Sequence, residues 1–246
     1  KQFPYRNELN FHAWKRYRDQ GAACVAAHPT SWWVDRPDAT LIATNISADL
    51  CFALLAGDLM DGLVVMGYDA DHVFYQNLWF RLLNEGYDIP GLAESDGCVT
   101  AHHRIGALLS YIQTPDGKYS PDKVIQGLRQ SRITMSSGPL LLMNINDGQY
   151  LMGDHVPADG LARQLVIDAW ADANPSEYLS YIVIYRNGEI FQKIDLTAQR
   201  PRRHTVKINV RETGESCGEI SGVNSGGRAW YVAKARSEEH TSELQS

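Results

Sequence analysis

Residues 181–194 read YIVIYRNGEIFQKI. Two runs rich in β-branched and aromatic residues flank the pair Asn187-Gly188. An Asn-Gly pair in that position is the strongest short-range sign of a hairpin, because a type I′ turn needs positive φ at both central residues. Working outward, five further runs carry short β patterns separated by turn residues: RITMSS (132–137), PLLLMNI (139–145), RQLVIDAWA (163–171), HTVKINV (204–210) and RAWYVAKA (228–235). No helical period interrupts them. Together they predict a separate β-sandwich over residues 132–235.

Residues 1–131 have a different character. Asn10 is placed to cap a helix reaching Gln20, with Gly21 as its stop. AACVAA (22–27), GLVVM (62–66) and IPGLA (89–93) are short continuous apolar runs, the pattern of strands buried on both faces of a parallel sheet. Between them, LCFALLAG (50–57) and DHVFYQNLWFRLLNEG (71–86) have helical spacing. ALLSYIQ (107–113) reads as a possible fourth strand, and Ser120-Pro121 opens a helix with an N-cap followed by Pro at N1. Strands alternating with helices predict βαβ units. A closed (β/α) barrel needs about 200 residues or more, so this part suffices for roughly half of one.

The whole chain of 246 residues is 44% hydrophobic and 21% charged, which supports an ordinary core and excludes disorder and coiled coil. With 23 Lys and Arg against 29 Asp and Glu, the net charge of −6 argues against a nucleic-acid partner. No apolar run approaches the roughly 18 residues of a membrane span. Cys24, Cys51, Cys98 and Cys217 form no C-x-x-C pair, so neither a zinc ribbon nor a disulfide framework is read. The chain begins at Lys1 without an initiator Met and runs straight into a helical pattern, so it is expected to be truncated there. The closing RSEEHTSELQS (236–246) resembles the conceptual translation of a sequencing-library adapter and is expected to be non-native. The division expected is therefore 1–131, 132–235 and 236–246. Compartment and oligomeric state are left open.

In parallel α/β folds ligands and catalytic groups collect at the C-terminal strand ends. His28 follows the first apolar run, Met66-Gly67-Tyr68 the second, and Glu94-Ser95-Asp96-Gly97-Cys98 the third, with His102-His103 shortly after. Imidazole, carboxylate and thiolate on neighbouring strand ends suit Zn²⁺, Mn²⁺ or Fe²⁺. Each residue also has a plainer reading. His28 serves equally as a hydrogen-bonded loop residue, Asp96 and Ser95 as an Asx turn, Cys98 as a small buried hydrophobe. His102-His103 read as a solvated pair or as substrate contacts, and Arg104 as an anion contact or a solvated surface residue. Trp32-Trp33 either line a cleft or pack under a loop.

Ala-His-Pro after a strand, then DGLVVM, LWFRLLNEGYDIP, ESDG, RIGALLSYI and KVIQGLRQSRITMSSGPLL, in this order and spacing, resemble the second half of a PHP-type (polymerase and histidinol phosphatase) metallohydrolase. Within that superfamily the chain is most similar to the CehA/McbA group. The resemblance implies the C-terminal part of a distorted seven-stranded (β/α) barrel followed by a β-sandwich-like domain. It implies a metal cluster at the strand ends and hydrolysis of a small-molecule phosphoester or carboxyl or carbamate ester by metal-activated water. Carried across, His28 matches the ligand of the Ala-His-Pro motif and Asp96 the first residue of a late Asp-x-His motif. Cys98 stands where that motif has its second His, which suits zinc better than Mn²⁺; alternatively His102 or His103 takes over that place, or the ligand is lost. The family's opening His-x-His motif is absent, so its ligands are expected upstream of Lys1 and the metal site is expected to be incomplete in this chain. A degenerate, non-catalytic member acting as a binding module, and an unrelated two-domain structural protein, are the competing readings.

Overall fold

The computed structural model describes residues 10–27, 55, 57–67, 70, 71, 73–95, 105–171, 177–213 and 228–237. Among these, 44% lie in strands and three short helices are present. The first helix, α1 (Asn10–Asp19), places Arg16 and Arg18 in its last turn, where cations complement the helix dipole. It leads to β1 (Val25–Ala26), which pairs in parallel with β2 (Gly62–Gly67), Val25 opposite Gly62. β4 (Gly91–Ala93) pairs in parallel on the other side of β2, Leu63 opposite Gly91. β3 (Ala70–Asp71) turns back antiparallel on the end of β2. β2 is buried along nearly its whole length, as a strand covered on both faces must be. Helix α2 (Val73–Asn84) covers one face, and its Leu78 and Leu82 form a core with Ala26, Leu59, Met60, Leu63 and Ile89. The Trp79 indole donates to the Ile89 carbonyl at 2.8 Å, pinning helix to strand.

Among the described residues the expected (β/α)7 barrel is not seen; they form a β-rich fold with several antiparallel sheets. Among the described residues the parallel pairing comprises β1, β2 and β4. The stretch read as a fourth strand becomes β5 (Leu109–Ile112), which pairs antiparallel with β6 (Ile133–Ser136) across α3 (Pro121–Arg129). The reason lies in its side chains. Leu109 and Tyr111 are 43% and 46% exposed and alternate with half-buried residues, whereas a barrel strand is covered on both faces. Ser110 makes the link to β4 instead: its hydroxyl donates to the Ala93 carbonyl at 2.9 Å and accepts from the Ala93 N–H at 2.8 Å. α3 begins as read, with the Ser120 hydroxyl accepting from the Lys123 N–H and Pro121 in the first turn.

The remaining strands form two antiparallel sheets packed face to face. One has the order β11 (Glu189–Asp195), β10 (Leu179–Arg186), β13 (Tyr231–Ser237). The other runs β12 (Arg203–Thr213), β9 (Asp159–Trp170), β7 (Leu140–Ile145), β8 (Tyr150–Leu151). Their inner faces share one core, with Leu165, Ile167, Ile182, Ile184 and Leu196 almost fully buried. RITMSS contributes β6 and so pairs with β5 rather than joining either sheet. β13 runs on to Ser237, which is fully buried opposite Leu179, so the strand crosses position 235.

The hairpin at residues 186–189 has φ of 51° at Asn187 and 88° at Gly188, as a type I′ turn requires. The turn docks on α2. Asn84 donates through Nδ2 to the Asn187 carbonyl at 3.3 Å and accepts the Trp230 indole N–H at 2.8 Å. Phe80 stacks obliquely on Trp230 and Tyr185, with ring centroids 4.9 and 5.3 Å away. Gly188→Ala is expected to cost about 1 kcal/mol in urea unfolding, from its left-handed backbone. The added methyl would meet Phe80 only at 3.7 Å, an ordinary contact, so no steric term adds to it.

Candidate functional site

The parallel strands β1, β2 and β4 end on the same side of their sheet. The chain leaves β1 at Ala26, β2 at Gly67 and β4 at Ala93. Outer strands of such a trio lie two spacings apart, about 10 Å. Beyond β4, Glu94 stays alongside β2, its N–H bonded to the Met66 carbonyl at 2.9 Å. The Glu94 side chain turns inward over the end of β2, with Oε1 buried. A Cβ at position 67 would lie 3.1 Å from that oxygen, so a glycine there leaves the carboxylate room to cross the strand end. Ser95 then accepts the Gly106 N–H at 3.4 Å, drawing the approach to β5 back to the same rim.

The motif residues continue from these ends. His28, Asp96, Cys98, His102, His103 and Arg104 lie outside the described residues, as do Trp32 and Trp33. Ala27 and Ser95, described on either side of β2, are the last residues before the first of them on each strand. Among the described residues no three His, Cys, Asp or Glu side chains gather as a metal site. Glu94, quoted in the sequence cluster without a role of its own, is the carboxylate placed at this rim.

The opposite end of the sheet holds a buried ion cluster. Asp61, just before β2, accepts from Arg18, from Arg129 Nε at 2.8 Å and from the Cys24 N–H at 2.8 Å. Cys24 is buried beside it, and its thiol is pushed up by burial and by the Asp61 charge. A thiol so held packs as a hydrophobe and is a poor nucleophile.

Between α2 and the sandwich lies a cleft of about 1410 Å³, walled by Met66, Gln76, Trp79, Tyr185, Tyr231 and Lys234 among others. On its sandwich side Arg186 grips Glu212 with two hydrogen bonds, at 2.7 and 2.5 Å, and the Tyr231 hydroxyl donates to the same carboxylate. Burial, then this bond to Glu212, pushes the Tyr231 phenol well above its ordinary value. Lys234 moves the other way, down to about 8, chiefly through burial and further through Arg236. These residues were not singled out in the sequence. The signal available was the alternation in RAWYVAKA, which puts Tyr231, Ala233 and Ala235 on one face and Lys234 on the other.

Comparison of the chain with family models, curated proteins and solved structures finds no match. Among the described residues no helix is long and apolar enough to cross a membrane.

Proposed function

We propose that the C-terminal rim of β1, β2 and β4 is a site of divalent-metal-assisted hydrolysis of a small-molecule ester or phosphoester. The observation that carries this reading is half-buried Glu94, whose enclosed Oε1 lies at the Gly67 end of β2, at the edge from which the chain continues to His28 and to Asp96. Carboxylate and imidazole are the donor types that hold Zn²⁺, Mn²⁺ or Fe²⁺. In this reading His28, Asp96 and Glu94 are the ligands, with Cys98 a further candidate donor. A bound ion supplies Lewis acidity and acidifies water at the rim. Glu94 fixes the donor position from the strand side, and Gly67 keeps the approach free of a side chain. The likeness to the CehA/McbA group enters only through the motif residues His28 and Asp96, without the barrel.

Equilibrium dialysis of the full chain against Zn²⁺ or Mn²⁺ tests the ligand set. Binding is expected to fall in each of His28→Ala, Asp96→Asn and Glu94→Gln, and to be unchanged in His204→Ala on β12. Hydrolysis of bis(4-nitrophenyl) phosphate or 4-nitrophenyl acetate, where detected, should fall in the same three variants. Metal binding indifferent to all three substitutions sinks the proposal. The second reading, a non-catalytic binding module, is favoured by the size of the cleft. It predicts metal-independent ligand binding with no turnover.

A further inference from the structure

The turn between β10 and β11 holds a reactive pair in an enclosed place. In Asn187-Gly188 no side chain on the glycine hinders its backbone nitrogen from reacting with the asparagine carboxamide. Asn187 is nevertheless only 5% exposed, whereas turns ordinarily lie open to water. Its main-chain and side-chain polar groups are all engaged. The Asn187 N–H donates to the Trp230 carbonyl at 3.1 Å, and its Oδ1 accepts the Trp230 N–H at 2.8 Å. The carboxamide thus stands in for a main-chain carbonyl and carries the β10–β13 ladder a step beyond Arg186 and Tyr231. Nδ2 donates to the Arg228 carbonyl at 3.5 Å, and the Asn187 carbonyl accepts from Asn84 of α2 at 3.3 Å. Asn84 also accepts the Trp230 indole N–H at 2.8 Å, which closes a triangle of Asn84, Asn187 and Trp230 across the junction.

Ring closure in such a pair requires the glycine nitrogen to lose its proton and reach the asparagine Cγ. A carboxamide fastened to the lead of β13 is held off that path, and burial keeps hydroxide from the nitrogen. We propose that Asn187-Gly188 is a modification site shut by docking on α2: Asn187 deamidates only when this junction opens, and the product records the opening irreversibly. The deprotonated Gly188 nitrogen bonds to Asn187 Cγ, the Cγ–Nδ2 bond breaks, and ammonia leaves. Water then adds to either carbonyl of the resulting succinimide and opens it to aspartate or isoaspartate. Amide and water become acid and ammonia, with no change of oxidation state. Either product spoils the triangle. Aspartate sets an acceptor where the Arg228 carbonyl had a donor. Isoaspartate lengthens the backbone inside a two-residue turn that has no slack. The site stands apart from the strand-end rim and does not depend on hydrolysis there.

The test incubates the intact chain in mildly alkaline buffer, with and without guanidinium chloride. Peptide mass spectrometry follows the mass gained at Asn187 as amide becomes acid. The native chain is expected to react about tenfold or more slower than the denatured one, because local opening must come first. Both arms use the unaltered protein, so this comparison needs no variant to fold. Asn84→Ala, which removes the α2 side of the triangle, should speed the native reaction about fivefold, the factor that one hydrogen bond carries. Trp230→Phe, which keeps a ring against Phe80 but loses the indole bond, should act in the same direction. Asn77→Ala, at an exposed position of the same helix, should leave the rate unchanged. Chains converted in denaturant and returned to buffer should unfold at lower denaturant concentration than the parent. Equal native and denatured rates would overturn the proposal, as would folded Asn84→Ala and Trp230→Phe chains reacting no faster than the parent. An unchanged unfolding midpoint in the converted chain would overturn the irreversible record.

Discussion

Asp61→Ala is expected to lower the unfolding free energy by about 3–5 kcal/mol, the cost of removing one partner from a buried ion cluster. The Asp61 side chain is 2% exposed and receives two guanidinium groups, Arg18 from α1 and Arg129 from α3. Its other oxygen accepts the Cys24 N–H, just before β1. Arg129 also reaches the Ala22 carbonyl at 3.2 Å. One carboxylate therefore ties α1, α3, β1 and β2 together at the foot of the parallel sheet. Its loss leaves two cations facing each other and a buried amide without its acceptor. Because Arg18 and Arg129 are 22% and 39% exposed, water recovers part of the cost, which places the effect toward the lower end of the range. Urea unfolding followed by tryptophan fluorescence measures it. Arg129→Met, which removes the more exposed partner, should cost less. A second readout is chemical. The Asp61 charge helps hold the Cys24 thiol high, so the variant should react faster with a disulfide reagent in its folded state. A loss below about 1 kcal/mol would mean that the cluster behaves as a surface pair.

What the sequence made legible was local, and what it hid was long-range. AACVAA, GLVVM and IPGLA were readable as buried parallel strands because each is apolar on both faces, and β1, β2 and β4 pair in that way. Asn187-Gly188 announced its turn by backbone chemistry alone, and both residues have positive φ. ALLSYIQ misled because its apolar content fits a strand of either kind. Only the exposure of Leu109 and Tyr111, and the pairing of β5 with β6, reveal a half-covered antiparallel strand. Extending three parallel strands into a barrel assumed that the next strand repeats the last, and the next described strand, β5, does not. The cleft was illegible for a related reason. Arg186 and Glu212 are 26 residues apart, and the burial of Lys234 depends on what packs over the face β13 turns away from the sandwich. No local pattern distinguishes a lysine facing such a wall from one facing water. Glu94 was visible as a residue, but its inward turn over Gly67 depends on β2 and β4 being neighbours.

Glu212→Ala should cost about 3 kcal/mol, again by stranding a part-buried guanidinium. Glu212 stands on β12, in one sheet, while Arg186 and Tyr231 stand on β10 and β13, in the other. The carboxylate thus clamps the two sheets at the mouth of the sandwich, where it meets the cleft. Arg186 and Glu212 are only 18% and 16% exposed, so solvent screens the pair little. Tyr231→Phe removes one hydrogen bond and leaves the ion pair, and should cost about 1 kcal/mol. The pH dependence has a definite sign. Burial, and then the bond to Glu212, raises the Tyr231 phenol above its unfolded value near 10. The folded chain therefore holds that proton more tightly than the unfolded one. Its contribution to stability is complete below about pH 10 and is lost progressively as the pH climbs beyond it. In an ultraviolet titration of the twelve tyrosines, Tyr231 should ionise late, and its absence from the late phase in Tyr231→Phe identifies it. Glu212→Gln should bring that late phenol downward but not to the ordinary value, since burial is the larger cause and survives the substitution. A Glu212→Gln titration identical to that of the parent would show that the carboxylate does not act on Tyr231, and the clamp across the sheets would then reduce to the Arg186 pair alone.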